Sequence, residues 1–156
     1  MIKIDEQMIS GLAEKALKSP RRRLNFNFHQ NDADTLQRML NAMEPDTYIQ
    51  PHKHEIPDKT EAFFCLRGRI LVVEYDDSGA ITDHIVLDHS QGQFGCEIAP
   101  RIWHSIICLE PGSVAYEVKD GPYDAKVDKH FASWAPEEFG GSGLEFNQNI
   151  LQQLGL

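Results

Sequence analysis

Pro51-His52-Lys53-His54-Glu55-Ile56-Pro57-Asp58-Lys59-Thr60-Glu61 places two imidazoles and at least one carboxylate in one short segment. Side chains alternate between faces along an extended strand, so His52 and His54 point the same way. Two neutral imidazoles at i and i+2 on one face can hold a single divalent ion. The residues from Glu55 to Thr60 contain Pro57 and Asp58 and read as a loop. Ala62-Phe63-Phe64-Cys65-Leu66 follows, an apolar run typical of a buried strand. Glu61 therefore stands at the mouth of a strand, where it can lean onto an ion held by the histidines. Glu55 is the competing carboxylate, but it directly follows His54 and should point to the opposite face. A bare His-x-His is more often a pair of exposed edge-strand histidines. Glu61, Gly68 and a distant His104 shift the reading towards a metal site.

Outward from this segment the chain reads as almost all β. Arg67-Gly68 is a tight turn, and Asp76-Asp77-Ser78-Gly79 is a hairpin signal between Ile70–Tyr75 and Ile81–Leu87. Gln91-Gly92-Gln93 and Glu110-Pro111-Gly112 are further turns around strands at Phe94–Ile98, Trp103–Leu109 and Ser113–Lys119. Upstream, Tyr48-Ile49-Gln50 enters the His-x-His, and Leu24–Phe28 alternates as a strand. Leu36–Met43 fits either type of element, and its neighbours favour a strand. Short strands with turns at this spacing indicate a sandwich or barrel. The exception is an N-terminal helix. Ile4, Met8, Leu12 and Ala16 recur at spacing four, acidic residues lie near the start, lysines near the end, and Pro20 stops it. The expected organisation is a helix over residues 1–20, one β domain over 21–138, and a tail over 139–156. In the tail, Gly140-Gly141-Ser142-Gly143 forms a flexible break and Ile150–Leu154 a short last helix.

The chain has 156 residues, a length typical of one domain, and can bury a core without staples. A formal net charge of −9 argues against non-specific binding to nucleic acid or an anionic membrane. The N-terminus lacks the pattern of a signal peptide, and no apolar run approaches the ~18–20 residues of a membrane span. Cys65, Cys96 and Cys108 are an odd number, all in apolar runs, and read as reduced thiols of a cytoplasmic protein. Arg21-Arg22-Arg23 could hold an anion but reads first as a solvated connection.

His52-x-His54, Glu61 and Gly68 resemble the first cupin motif, and Ala99-Pro100-Arg101-Ile102-Trp103-His104 resembles the second. The resemblance implies a double-stranded β-helix, or jelly-roll barrel, with one divalent metal per chain on His52, His54, Glu61 and His104. Zinc, iron, nickel and manganese all suit that donor set. The sequence departs from the motifs in four places. The Glu55–Thr60 spacer is longer than usual, Asp46 replaces an opening glycine, Ala99 replaces proline, and Arg101 replaces glycine. Positive φ is readily adopted by glycine and not by arginine, so the turn before His104 is the doubtful point. Pro57-Asp58-Lys59, Leu66-Arg67-Gly68-Arg69, Gly121-Pro122-Tyr123-Asp124 and Phe131-Ala132-Ser133-Trp134-Ala135-Pro136-Glu137-Glu138 narrow the resemblance to WbuC-type cupin fold metalloproteins. That subfamily is associated with surface-polysaccharide loci, and its resemblance hands over no substrate.

Four protein ligands on an octahedral ion leave positions open for water or substrate, as a catalytic metal requires. Isomerisation or epimerisation of a sugar-like or anionic small molecule would suit such an ion. A non-catalytic metal-dependent binding protein and an Fe(II) dioxygenase are the alternatives. Tyr48, Lys59, Phe63 and Glu117 are the candidate ligand contacts, Tyr48 because it lies four residues before His52. Trp103 should face away from the metal into packing. His29, His84, His89 and His130 lack a partner at ligand spacing and read as surface histidines. Exposed sheet edges and the commonness of two-fold symmetry lead to the expectation of a homodimer.

Overall fold

Alternation of inward and outward side chains folds most of this chain into two antiparallel sheets packed face to face. The computed structural model describes residues Met1–Leu156. In chain order the elements are α1 (Glu6–Lys18), β1 (Arg23–Asn27), β2 (Leu36–Met43), β3 (His52–Lys53), β4 (Glu61–Arg67), β5 (Ile70–Tyr75), β6 (Ile81–Leu87), β7 (Gly95–Ile98), β8 (Trp103–Cys108), β9 (Ser113–Asp120), β10 (His130–Phe131) and α2 (Gly143–Leu154). The first sheet runs β1-β2-β9-β4-β7 and the second β10-β3-β8-β5-β6. This is the expected mainly β jelly roll with an N-terminal helix. Leu36–Met43 is a strand, paired with β9 along its whole length from Leu36↔Asp120 to Met43↔Ser113. By contrast, Tyr48-Ile49-Gln50 forms no regular strand, and pairing begins only at His52.

The inward positions grade from polar to apolar along each strand. On β4 they are Glu61, Phe63 and Cys65; on β8, His104, Ile106 and Cys108; on β9, Lys119, Glu117 and Ala115. The apolar end joins Met43, Ile70, Val72, Leu87 and Ile98 in the inter-sheet core. Each such buried aliphatic contributes about 1.5–3 kcal/mol relative to exposure. That core fixes the strand register that places the polar end. Cys65 and Cys108 belong to it, and all three cysteines are free. Burial pushes the Cys65 thiol up to about 11, so it stays protonated at neutral pH. Gly68 makes the β4–β5 turn at φ 76°, and a Cβ there would collide with Ser113.

Both helices cover outer faces. α1 starts later than the periodicity suggests because Asp5 is its N-cap, accepting from the Met8 N–H at 3.0 Å; Ile4 is left outside and exposed. Ile9, Leu12, Ala13 and Ala16 pack on Leu40, Ala42 and Val114 of the first sheet, so the helix closes its own barrel. α2 is longer than the expected Ile150–Leu154 and begins at Gly143. Its Ile150 buries against Leu71, Val73, Tyr75 and Ile107 of the second sheet. Gly143 is needed where it stands, since a Cβ there would strike the Tyr48 ring. No helix is long and apolar enough to cross a membrane.

Candidate metal centre

The two sheets each deliver part of one cluster. His52 on β3 is the cross-strand partner of His104 on β8, and His54 lies just beyond the end of β3. Glu61 opens β4 in the facing sheet, opposite Lys119 of β9. Ligand atoms of His52, His54, Glu61 and His104 all lie within 4.8 Å of one another, and all four residues are buried. Glu61 Oε2 stands 3.1 Å from His104 Nε2 and 3.3 Å from His54 Nε2. The Glu55 carboxylate turns away and pairs with Lys53 at 3.0 Å, as the strand alternation predicts.

The hydrogen bonds on the far side of each ring decide what those short distances mean. His52 Nδ1 lies 2.9 Å from the Gln50 carbonyl, and His104 Nδ1 lies 2.9 Å from the Ile102 carbonyl. His54 Nδ1 meets the Asp128 carbonyl. A carbonyl only accepts, so each Nδ1 carries the proton and each neutral ring turns its Nε2 lone pair inward. His54 Nε2 is buried with no hydrogen-bond partner. With those tautomers, lone pairs of imidazole and carboxylate face each other across about 3 Å among buried side chains, a repulsion that a cation between them relieves. At His52 a second ring proton is disfavoured. Burial, then the charge of Lys129, holds that imidazole well below its ordinary pKa. For Glu61, burial opposes ionisation. The ring nitrogens of His104 and His54, at 3.1 and 3.3 Å, favour the carboxylate only through a proton or a cation between them; with that and the charge of Lys119 the carboxyl lies well below the usual range. The donor set is three imidazoles and one carboxylate with backbone-oriented rings, which fits a divalent first-row ion.

Behind the cluster lies a buried ion-pair network. Asp128 accepts from Lys59 Nζ at 2.6 Å and from Lys119 Nζ at 2.8 Å, and Lys119 is also 3.8 Å from Glu61 Oε1. Burial works against the Lys119 ammonium, but the charges of Glu61, Glu117 and Asp128 raise its pKa above the ordinary value. In front lies a cavity of about 430 Å³, reached past His52 and Glu61 and walled by β1, β2 and β9. Phe63 and Glu117, two of the four candidate contacts, line it. Glu117 is bonded to Asn41, and burial followed by the neighbouring Glu61 charge pushes its carboxyl well above the ordinary range.

Two of the four sequence-based contact candidates stand elsewhere. Tyr48 does not share a strand face with His52, because its segment is irregular. Its hydroxyl donates to the Pro136 carbonyl at 2.8 Å and its ring packs edge-on to Phe146. Lys59 is neither solvated nor in the cavity; it is buried on Asp128. Trp103 faces away from the cluster, donating to Asp77 at 2.9 Å with Lys53 above its ring. In the arginine run, Arg22 pairs with Asp46 at 2.8 Å and Arg23 with Glu138. His29 lines the cavity although its sequence spacing gave it no partner. Sequence reasoning also missed Lys119, Asp128 and Lys129. Only the β1 alternation of Arg23, Asn25 and Asn27 against Leu24 and Phe26 carried a readable signal, a polar inward face on a half-covered strand.

Residues 4–87 match the family described as a domain of unknown function, DUF6016, and the chain belongs to that family. No curated protein matches the chain. Among solved structures, L-ribose isomerase of Cellulomonas parahominis with L-ribose superposes at TM-score 0.56 and 16% identity, over 78% of this chain and 72% of that one. The capsular polysaccharide assembling protein CapF of Staphylococcus aureus superposes at TM-score 0.56 and 16% identity. That match covers 69% of this chain but only 28% of CapF. KdgF from Halomonas sp. superposes at TM-score 0.50 and 14% identity, over 69% and 84% of the two chains. At these identities the likeness is one of fold, and the fold is that of the cupins.

Proposed function

We propose that this DUF6016 chain is a metal-binding cupin that holds one divalent ion on His52, His54, Glu61 and His104 and takes a small carbohydrate-like molecule in the adjoining cavity. The observation that carries the reading is the set of inward lone pairs left facing one another once each Nδ1 has donated to a backbone carbonyl. The ion, when bound, would act as a Lewis acid on a substrate oxygen at a position the four ligands leave open. The chain's own part is to fix the rings through those carbonyls, hold Glu61 ionised beside Lys119, and present Phe63 and Glu117 to the ligand. Sugar isomerisation or epimerisation in surface-polysaccharide metabolism, by a protein of the WbuC type, is the finer form of the proposal. The L-ribose isomerase and the capsular polysaccharide protein among the fold relatives support its carbohydrate element. Residues 21–138 would form the barrel unit, flanked by the helical segments 1–20 and 139–156.

Metal analysis of the purified chain, reconstituted in turn with zinc, iron, nickel and manganese, tests the reading. One equivalent per chain is expected, and His52→Ala with His54→Ala should abolish it. The loaded protein should also melt higher, because an ion that binds only the native state adds RT ln(1 + [L]/Kd). A double variant that keeps a full equivalent sinks the assignment.

A further inference from the structure

Four side-chain cations line the cavity, and they are not alike. Arg23 is paired with Glu138, and Lys119 is paired with Asp128. Arg21 is exposed, where solvent screens it. Lys129 is half-buried, lines the cavity and makes neither an ion pair nor a side-chain hydrogen bond. Every other substantially buried cation around the centre has a carboxylate, as Lys59 also has in Asp128. Glu61, Glu117 and Asp128 act on Lys129 only from beyond ion-pair distance, while burial and then the Lys119 charge weigh against its ammonium, so a direct counter-ion would relieve it.

Its place is fixed rather than incidental. The preceding residue, Asp128, is anchored by the two lysines and by His54. One residue later β10 begins, where Phe131 pairs with His52. Lys129 is therefore held between two anchored neighbours, beside the metal cluster. Across the cavity stand Asn25, Asn27, Asn41 and Gln37; the Gln37 amide donates to the Asp32 and Asp34 carbonyls, Asn41 to Glu117 and Asn25 to Asn27, which leaves the remaining carboxamide donors and acceptors for hydroxyls. A volume of about 430 Å³ lies within the usual range for small-ligand sites.

From this juxtaposition we infer that the cavity binds an anionic polyhydroxy compound, with Lys129 taking its acidic group and the carboxamides of β1 and β2 reading its hydroxyls. The acidic group is a carboxylate or a phosphate, since one ammonium suits either. The inference rests on the proposed cavity function but not on metal occupancy, which is measured separately.

Calorimetric titration of the metal-loaded full chain with matched pairs tests it. The probes are D-gluconate against D-glucitol for a carboxylate, and D-glucose 6-phosphate against D-glucose for a phosphate. The expected result is that one acid binds at least tenfold tighter than its neutral partner. Lys129→Gln should erase that preference, while Lys129→Arg keeps it and both variants retain the wild-type metal content. The pair that shows the preference identifies the acidic group. Equal binding of acid and neutral partner, no binding of any probe, or a preference that survives in Lys129→Gln overturns the inference. The last outcome would mean that the ion itself takes the acid. If the wild type holds no metal yet still prefers the acid through Lys129, the metal assignment fails and the lysine inference stands.

Discussion

Asp128→Asn is the sharpest test of how the centre is supported. Asp128 is 2% exposed and is the shared counter-ion of two lysines that are themselves buried, at 2.6 Å and 2.8 Å. The substitution keeps the shape and removes the charge. Lys59 is then left with the Pro122 carbonyl, and Lys119 with Glu61 at 3.8 Å. Breaking a buried pair from one side costs about 3–5 kcal/mol, because the surviving charge stays desolvated. Lys119 keeps part of its compensation, so the lower end of that range is expected. For a domain of this length that is roughly 6–12 °C in Tm. Asp58 is the control. It pairs with Arg101 at 2.8 Å on the surface, where both side chains are about half exposed or more, and Asp58→Asn should cost about 1 kcal/mol or less. Urea unfolding of both variants, each checked for metal content, gives the comparison. His54 is oriented by the Asp128 carbonyl, which the substitution leaves in place, so metal stoichiometry should be retained. If Asp128→Asn destabilises no more than Asp58→Asn, the network is not the support described here.

Further tests follow from the same geometry. Glu61→Gln should weaken metal binding tenfold or more, because it removes the only anion in the cluster, whereas Glu55→Gln, whose carboxylate sits on Lys53, should stay within about twofold. Burial opposes ionisation of Asp128, but the Lys119 charge and the hydrogen bonds from Lys119 and Lys59 depress its pKa. Its contribution is therefore fully present above the unfolded aspartate value of about 3.9 and is lost as pH falls through the lower folded value. Below about pH 4 the wild type should lose its stability advantage over Asp128→Asn; a constant gap down to pH 2 would refute this. Light scattering should report a homodimer, with Phe64→Glu giving a monomer. Phe64 is 47% exposed on the outer face of the first sheet, beside the area that α1 leaves uncovered. A monomeric wild type ends that proposal.

What could be read from the sequence follows from how local each signal is. The His-x-His pair was legible because alternation along an extended chain turns both side chains the same way, whereas the distant His104 was legible only through its resemblance to the second cupin motif. Gly68 was legible because only a turn needing positive φ calls for it there. Tyr48 was misplaced because the alternation rule was carried backwards through a segment that forms no strand. Lys59 was misplaced as a ligand contact because its partner, Asp128, lies 69 positions away and belongs to no motif. Lys129 carried no local signal, because only the fold brings it to the cavity. Helix α2 was underestimated because Gly143 weakens local propensity, while the packing of Ile150 and Phe146 on the second sheet decides the outcome.

The departures from the usual cupin spacing explain one another. Arg101 does adopt the left-handed conformation, φ 68°, where glycine is the common choice. For a non-glycine residue this costs about 1–2 kcal/mol. The longer Glu55–Thr60 loop brings Asp58 to Arg101 Nε at 2.8 Å, a solvent-screened surface pair too weak to hold the turn alone. The remainder is held by the backbone, since the Arg101 N–H donates to the His54 carbonyl at 3.0 Å. That bond fastens the turn before His104 to the histidine it must face. A shorter loop would remove Asp58 and leave the strained turn with the backbone bond only. Restoring glycine at position 101 would relieve the strain and make the Asp58 pair dispensable. The extended loop thus supplies a carboxylate beside the strained arginine, while the backbone bond from Arg101 holds the turn before His104 against His54.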